Sequence, residues 1–128
     1  MLEAVSPHHG RVLVYVWATV QDDASKRVLP TEQASTDAGQ DVLVPWVLSS
    51  TPSIGEKEGA DRVLNRYYHM FAQGELANLV RQAAQEMGLE VGRREDFEAG
   101  ATGLEIVRDD WERSNYYVEL HRWTNETV

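Results

Sequence analysis

Cysteine is absent from this chain of 128 residues. Its absence excludes disulfides, a thiol nucleophile and thiolate zinc sites, and it is compatible with a reducing compartment. Long apolar runs are missing too. No stretch of about 18 apolar residues exists, so nothing reads as a membrane span. The opening Met1-Leu2-Glu3-Ala4-Val5 lacks the basic flank and long apolar region of a signal peptide. Positive charge is scarce: 12 Lys and Arg stand against 21 Asp and Glu, a formal net charge of -9. Phosphate contacts need clustered cations, so non-specific binding to nucleic acid is disfavoured, and an RNA partner would require another polypeptide to supply much of the positive surface. His8 and His9 are adjacent while His69 and His121 are scattered, which does not make a metal site. No internal repeat is convincing.

Against these absences stands one dense polar cluster, Arg66-Tyr67-Tyr68-His69, directly ahead of the clearest helix in the sequence. An Arg, two phenols and an imidazole in a row must find either a polar network or a ligand. The plainer alternative is a strand end with its polar edge in water. The helix itself is marked by Leu76, Leu79, Val80, Ala83, Ala84 and Met87 on one stripe, with Gly88 placed to stop it in a left-handed cap.

Elsewhere the pattern is extended. Arg11-Val12-Leu13-Val14-Tyr15-Val16-Trp17 is almost continuously apolar and β-branched, which predicts a strand covered on both faces, as in a parallel sheet. Ser6 to Gly10 reads as a helix stop and turn before it. Residues 21–40 are polar without apolar period and predict a mobile insertion. Asp41 to Leu48 returns to extended structure, but Pro45 confines it to an edge or a non-strand segment. A second polar loop follows at 49–59. Residues 89–103 leave a ragged strand and a loop equally open, after which two β-rich runs, Leu104 to Trp111 and Tyr116 to Trp123, predict a terminal antiparallel hairpin. Asp109, Asp110 and Glu112 then read as a charged hairpin tip rather than paired catalytic carboxylates. The fold class expected is α/β in one domain over 1–128: the last portion of a doubly wound sheet, with one parallel strand, one amphipathic helix and the hairpin.

Four blocks in order, Tyr15-Val16-Trp17-Ala18 with Gln21, Val44-Pro45-Trp46, Arg66-Tyr67-Tyr68-His69-Met70-Phe71 with Gly74-Glu75-Leu76, and Asn115-Tyr116-Tyr117-Val118, resemble the eukaryotic tRNA wobble-uridine carboxymethyl methyltransferases. The third block is the most specific. In the last, the family usually has Asn-Trp where this chain has Asn115-Tyr116. The resemblance implies a class I methyltransferase fold and esterification of 5-carboxymethyluridine in the anticodon by S-adenosylmethionine. It covers only the substrate-facing C-terminal half of such an enzyme. The glycine-rich turn, the acidic ribose-binding residue and the later cofactor loop are expected upstream of Met1, and the chain contains no GxGxxG-like stretch, so no cofactor-binding residue is assigned.

The chemistry sets its own demands. A carboxylate with pKa near ~4 is already ionised at neutral pH, so methylating it needs no general base. It needs an oxygen stripped of water and aimed in line at the methyl group. Arg66 suits a two-pronged grip on a carboxylate or the tRNA backbone. Tyr67 or Tyr68 can orient the carboxylate through a hydroxyl, and His69 stands as either a catalytic or a core histidine. Trp17, at the carboxyl end of its strand, and Trp46 offer surfaces on which an unpaired base stacks, with core packing as the alternative for both. Gln21, Pro45, Asn115 and Tyr116 complete the substrate-side set by resemblance. Two rival readings are a carboxyl methyltransferase acting on a small molecule or protein, and a non-catalytic binding module of the same fold. Expected partners are tRNA, the missing N-terminal half, the family's small zinc-binding activator subunit and, through a bare strand edge, a second copy of this chain. The expected location is the cytoplasm, with the nucleus as a second compartment.

Overall fold

The computed structural model describes residues 1–25, 39–48 and 62–126. In chain order the elements are a 3-10 turn at Leu2–Ala4, β1 (Arg11–Trp17), β2 (Gln40–Leu48), β3 (Arg62–Met70), α1 (Glu75–Glu86), β4 (Glu90–Val91), a second 3-10 turn at Arg94–Asp96, β5 (Thr102–Glu112) and β6 (Asn115–Thr124). Strands β1-β6-β5-β4 make one mixed sheet, and β2 pairs with β3 in a separate two-stranded ribbon. The architecture is mixed α/β, and among the described residues no helix is long and apolar enough to cross a membrane.

The terminal hairpin forms as the alternation predicts. β5 and β6 are joined by Arg113 and Ser114, both with left-handed backbones (φ 49° and 64°). Two consecutive positive φ values are what the two-residue hairpin turn requires. Ser114 is buried, its hydroxyl accepting the Asp22 N–H at 2.8 Å and its carbonyl accepting the Ala18 N–H at 3.0 Å. Strand β6 is the middle of the fold: Val118 and Leu120 are fully buried, beside Leu104 of β5. With Leu2, Leu76, Val80, Ala84 and Leu89 they form the core, each large aliphatic side chain contributing roughly 1.5–3 kcal/mol by leaving water.

Helix α1 obeys its sequence signals at the carboxyl end. Gly88 takes φ 69°, its N–H donates to Gln85 O at 3.1 Å, and the Leu89 N–H donates to Ala84 O at 2.8 Å. This pair of bonds is the Schellman closure, with Leu89 and Ala84 both in the core. The stripe is only partly buried, however. Leu76, Val80 and Ala84 lie under 9% exposed, whereas Leu79 is 48% and Met87 37% exposed. Those two line an open apolar groove with Met1, Val14, Val16 and Phe71.

Strand β1 departs from expectation. It pairs antiparallel with β6, Arg11 opposite His121 through Trp17 opposite Asn115, and belongs to no parallel ladder. Its burial alternates: Val12, Val14 and Val16 face the core while Leu13 and Tyr15 stay exposed. Only one face is covered. The parallel pair lies instead between β4 and β5, Glu90 opposite Gly103 and Val91 opposite Leu104, in the stretch where strand and loop are equally open from sequence. Among the described residues, no strand pairs along the outer edge of β1 over most of its length. Gly10 O and the Ala18 N–H bond toward β6 and its turn, while Trp17 O accepts the Phe71 N–H on the opposite side. Alternation therefore aims the backbone groups of Arg11, Leu13 and Tyr15 away from β6, where no described strand pairs with them.

The β2–β3 ribbon projects as an arm, from Gln40 opposite Met70 to Leu48 opposite Arg62. Pro45 is tolerated because a two-stranded ribbon has an outer edge on each strand, which agrees with the expected edge position. Val42 and Met70 are buried at its base, whereas Leu43, Trp46, Val47, Val63, Leu64 and Tyr67 are exposed. Of the expected insertion at 21–40, residues 26–38 lie outside the described residues, as does the polar loop at 49–59. Within its flanks, Gln21 donates to Ala18 O at 2.6 Å and to Ser114 O at 3.1 Å, and Gln40 opens β2.

A candidate aromatic and cationic face on the β2–β3 arm

The cluster Arg66-Tyr67-Tyr68-His69 does not arrive at one spot. It forms the carboxyl half of β3, and successive side chains of a strand point to opposite faces. Arg66 and Tyr68 share one face of the arm with Val44, Val42 and Trp46, since directly opposed residues project to the same side. Tyr67 and His69 share the other face with Asp41.

On the first face, two stacked pairs succeed each other. At the base, Trp17 lies flat on Tyr68, ring centroids 4.1 Å apart and planes 6° from parallel. The Phe71 N–H bond to Trp17 O at 2.7 Å, returned by the Thr19 N–H to Phe71 O at 2.9 Å, stitches the arm to the carboxyl end of β1 at this point. One step outward, the Arg66 guanidinium carbon sits 3.0 Å over the Trp46 ring centroid. A guanidinium stacked this way keeps its N–H edge free for a planar anion, and among the described residues no hydrogen bond engages it. The face thus offers π surface and one fixed cation in line with the end of β1.

The second face is a closed polar network. His69 Nδ1 lies 2.7 Å from Asp41 Oδ1 and its Nε2 lies 2.5 Å from Glu75 Oε1, both within hydrogen-bond reach. The Tyr67 hydroxyl donates to the same Asp41 oxygen at 2.7 Å, and the second Glu75 oxygen accepts the Ala72 N–H at 2.9 Å. The hydrogen bond to Asp41 holds the His69 pKa above its ordinary value against the opposing effect of burial, with Glu75 adding to the rise. Asp41 is pushed below the usual carboxylate range, first by His69 and then by Tyr67. The bond to Asp41 raises Tyr67. Neither Asp41 nor Glu75 has a role that sequence reasoning identifies. Asp41 precedes His69 by 28 positions and meets it only through the ribbon register. Glu75 does carry a signal, since an acid in the first helical turn is favoured by the helix dipole.

Of the remaining sequence-predicted residues, Asn115 and Gln21 lie at the same end of β1 as Trp17, whereas Tyr116 and Pro45 lie apart from it. Asn115 is the cross-strand partner of Trp17 and donates from Nδ2 to Arg113 O at 3.0 Å. Tyr116 is buried between Val16 and Trp111, away from the arm face. Gln21 braces the Ser114 turn, and Pro45 is exposed opposite Asn65. No cluster of His, Asp or Glu among the described residues is arranged to hold a metal ion.

The described residues also do not fit S-adenosylmethionine. The carboxyl end of β1 is taken by the Phe71 bridge and by the Ser114 turn. None of the chemistry assigned to these residues therefore runs through that group.

The relatives that comparison with known proteins finds for this chain are named as tRNA methyltransferases. One relative is the tRNA (carboxymethyluridine(34)-5-O)-methyltransferase of Schizosaccharomyces pombe, 37% identical over 83 residues that cover 58% of this chain and 34% of the relative. Another is the tRNA (carboxymethyluridine(34)-5-O)-methyltransferase alkbh8 of Xenopus tropicalis, 29% identical over 104 residues, covering 52% of this chain and 17% of the relative. No family model matches. The resemblance drawn from the four sequence blocks is thus borne out, and the chain spans about a third or less of the length of the relatives it matches.

Proposed function

We propose that this chain is the substrate-facing portion of a tRNA methyltransferase that esterifies the carboxyl group of 5-carboxymethyluridine at the anticodon wobble position. The observation that carries the reading is the face formed by Trp17, Tyr68, Arg66 and Trp46, in a chain whose relatives bear that activity in their names. Anticodon bases are unpaired and stack on aromatic rings and guanidinium planes, each such contact contributing about 1–3 kcal/mol. In this reading Trp46 and the Trp17–Tyr68 pair hold loop bases, while Arg66 directs its N–H edge at the wobble carboxylate or the adjoining phosphate. The carboxylate is already ionised, so no base is required. His69 has both ring nitrogens engaged and Tyr67 has its hydroxyl engaged, so they shape the arm rather than touch the substrate.

The methyl donor belongs to a further portion of polypeptide, corresponding to the length of the relatives that this chain does not match. The outer edge of β1 and the groove lined by Val14, Val16, Phe71, Leu79 and Met87 are where that portion docks. A small zinc-binding activator subunit is a second proposed partner.

The reading is tested by titrating an anticodon stem-loop RNA carrying 5-carboxymethyluridine into the 128-residue chain and following tryptophan fluorescence. Saturable quenching is expected, weakened about 5- to 150-fold by Trp46→Ala, which is the equivalent of one lost stacking contact. The titration is run at low salt because the chain is acidic, and quenching that is indifferent to Trp46 would remove the arm face from substrate binding.

A further inference from the structure

We propose that Asp41, His69 and Glu75 form a proton-dependent latch that fastens the β2–β3 arm to the start of α1. The three residues come from three different elements, and among the described residues the imidazole is what links the two acids. Geometry favours an added proton at this site. A neutral imidazole has one N–H, so one of its nitrogens would turn a lone pair toward a carboxylate; with an acid oxygen at 2.7 Å from Nδ1 and another at 2.5 Å from Nε2, both contacts are favourable only for imidazolium. The acids are themselves held in place, Glu75 by the Ala72 N–H and Asp41 by the Tyr67 hydroxyl. Phe71 packs edge-on against the ring, centroids 4.7 Å apart. The chain passes so close at Gly39 that any Cβ there would run into the Glu75 carboxylate and the His69 imidazole.

Among the described residues, the charged and titratable groups facing the imidazole are Asp41 from β2 and Glu75 from α1, with Tyr67 of β3 behind Asp41. Both acids favour the proton, and the rise in the His69 pKa has the same origin. When the proton leaves, one carboxylate contact becomes repulsive. Among the described residues, the arm's outer positions are exposed, and its base is held besides the latch by Val42, Met70, the Trp17–Tyr68 stack and the backbone bonds that link Phe71 to Trp17 and Thr19. Loss of the proton therefore loosens the arm locally while the β1-β6-β5-β4 sheet stays folded. Because the arm carries Trp46 and Arg66, the latch governs how firmly that face is presented.

Nitrogen-15 NMR of the 128-residue chain tests this directly. At pH 6.5 both ring nitrogens of His69 should be protonated, with a titration midpoint above the ordinary ~6.5. Asp41→Asn should bring that midpoint down. Amide exchange at Val42 and Met70, corrected for the intrinsic rate, should accelerate as pH passes the midpoint in the parent chain and lose that step in His69→Gln. Asp41→Asn supplies the same comparison if His69→Gln fails to fold. A midpoint at or below 6.5, a single neutral tautomer at pH 6.5, or exchange indifferent to the His69 charge would overturn the proposal.

Discussion

Replacing Gly88 by Ala isolates one physical effect. Gly88 closes α1 with φ 69°, and a Cβ built on it meets nothing within 4 Å. Sterics with neighbours therefore contribute nothing; what remains is the backbone. A left-handed conformation costs an L-residue about 1–2 kcal/mol, and restricting the unfolded chain returns about 0.4–1 kcal/mol. The net loss expected for Gly88→Ala is about 0.5–1 kcal/mol, because the bonds from Gly88 and Leu89 to Gln85 O and Ala84 O leave the helix no other way to hand over to β4. Arg113→Gly runs the same balance in reverse. Arg113 has φ 49° and an exposed side chain whose contact to Glu112 is 4.0 Å long, so the substitution should stabilise by a similar amount. For a chain of this length 1 kcal/mol moves the melting temperature by about 3–6 °C. Thermal and urea denaturation followed by circular dichroism should show Gly88→Ala about 2–5 °C below the parent and Arg113→Gly about as far above it. A Gly88→Ala chain melting at or above the parent would refute the conformational accounting at both turns.

Leu104→Ala removes a fully buried side chain from β5 and should cost about 2–5 kcal/mol in urea titrations with little change in slope. The pH profile of arm stability should be bounded on both sides. His69, raised by its acids, contributes fully below the unfolded value of ~6.5 and loses its contribution as pH climbs through the folded value. Asp41, lowered, contributes above its unfolded value and is lost as pH falls through the folded one. Fluorescence of Trp17 on its Tyr68 stack, followed across pH, reads both limbs; a flat profile would contradict them. Isothermal calorimetry with S-adenosylmethionine should detect no binding to the 128-residue chain, and micromolar affinity would contradict the misfit described for its residues.

Local rules carry much of the fold. The α1 stripe and the Gly88 cap are decided within a dozen residues, and the β5–β6 hairpin within two dozen, so both are legible in the sequence even though Arg113 and Ser114 are not the usual Asn-Gly pair. Partnership is not legible. The run from Arg11 to Trp17 reads as buried on both faces, yet Leu13 is 59% and Tyr15 44% exposed, because composition reports how apolar a strand is and not what lies against it. The site follows the same division. Trp17, Arg66, Tyr68 and Trp46 are identifiable as residue types, but which of them share a face depends on alternation along β3 and on the β2–β3 register. A contiguous quartet therefore separates into a stacking face and a latch. The latch needs Asp41, which no local spacing connects to His69.

The central claim is that this chain performs the substrate-facing part of wobble-uridine esterification. Its most direct test is a chimera in which the matching part of the Schizosaccharomyces pombe relative is replaced by a segment of this chain that includes the β2–β3 arm. Purified chimera is incubated with S-adenosylmethionine and tRNA bearing 5-carboxymethyluridine, and the nucleosides are quantified by mass spectrometry. The account predicts the methyl ester at uridine 34, with Arg66→Ala abolishing most of it while cofactor affinity is unchanged. A folded chimera that binds cofactor yet forms no ester, or one whose yield ignores Arg66, would contradict it.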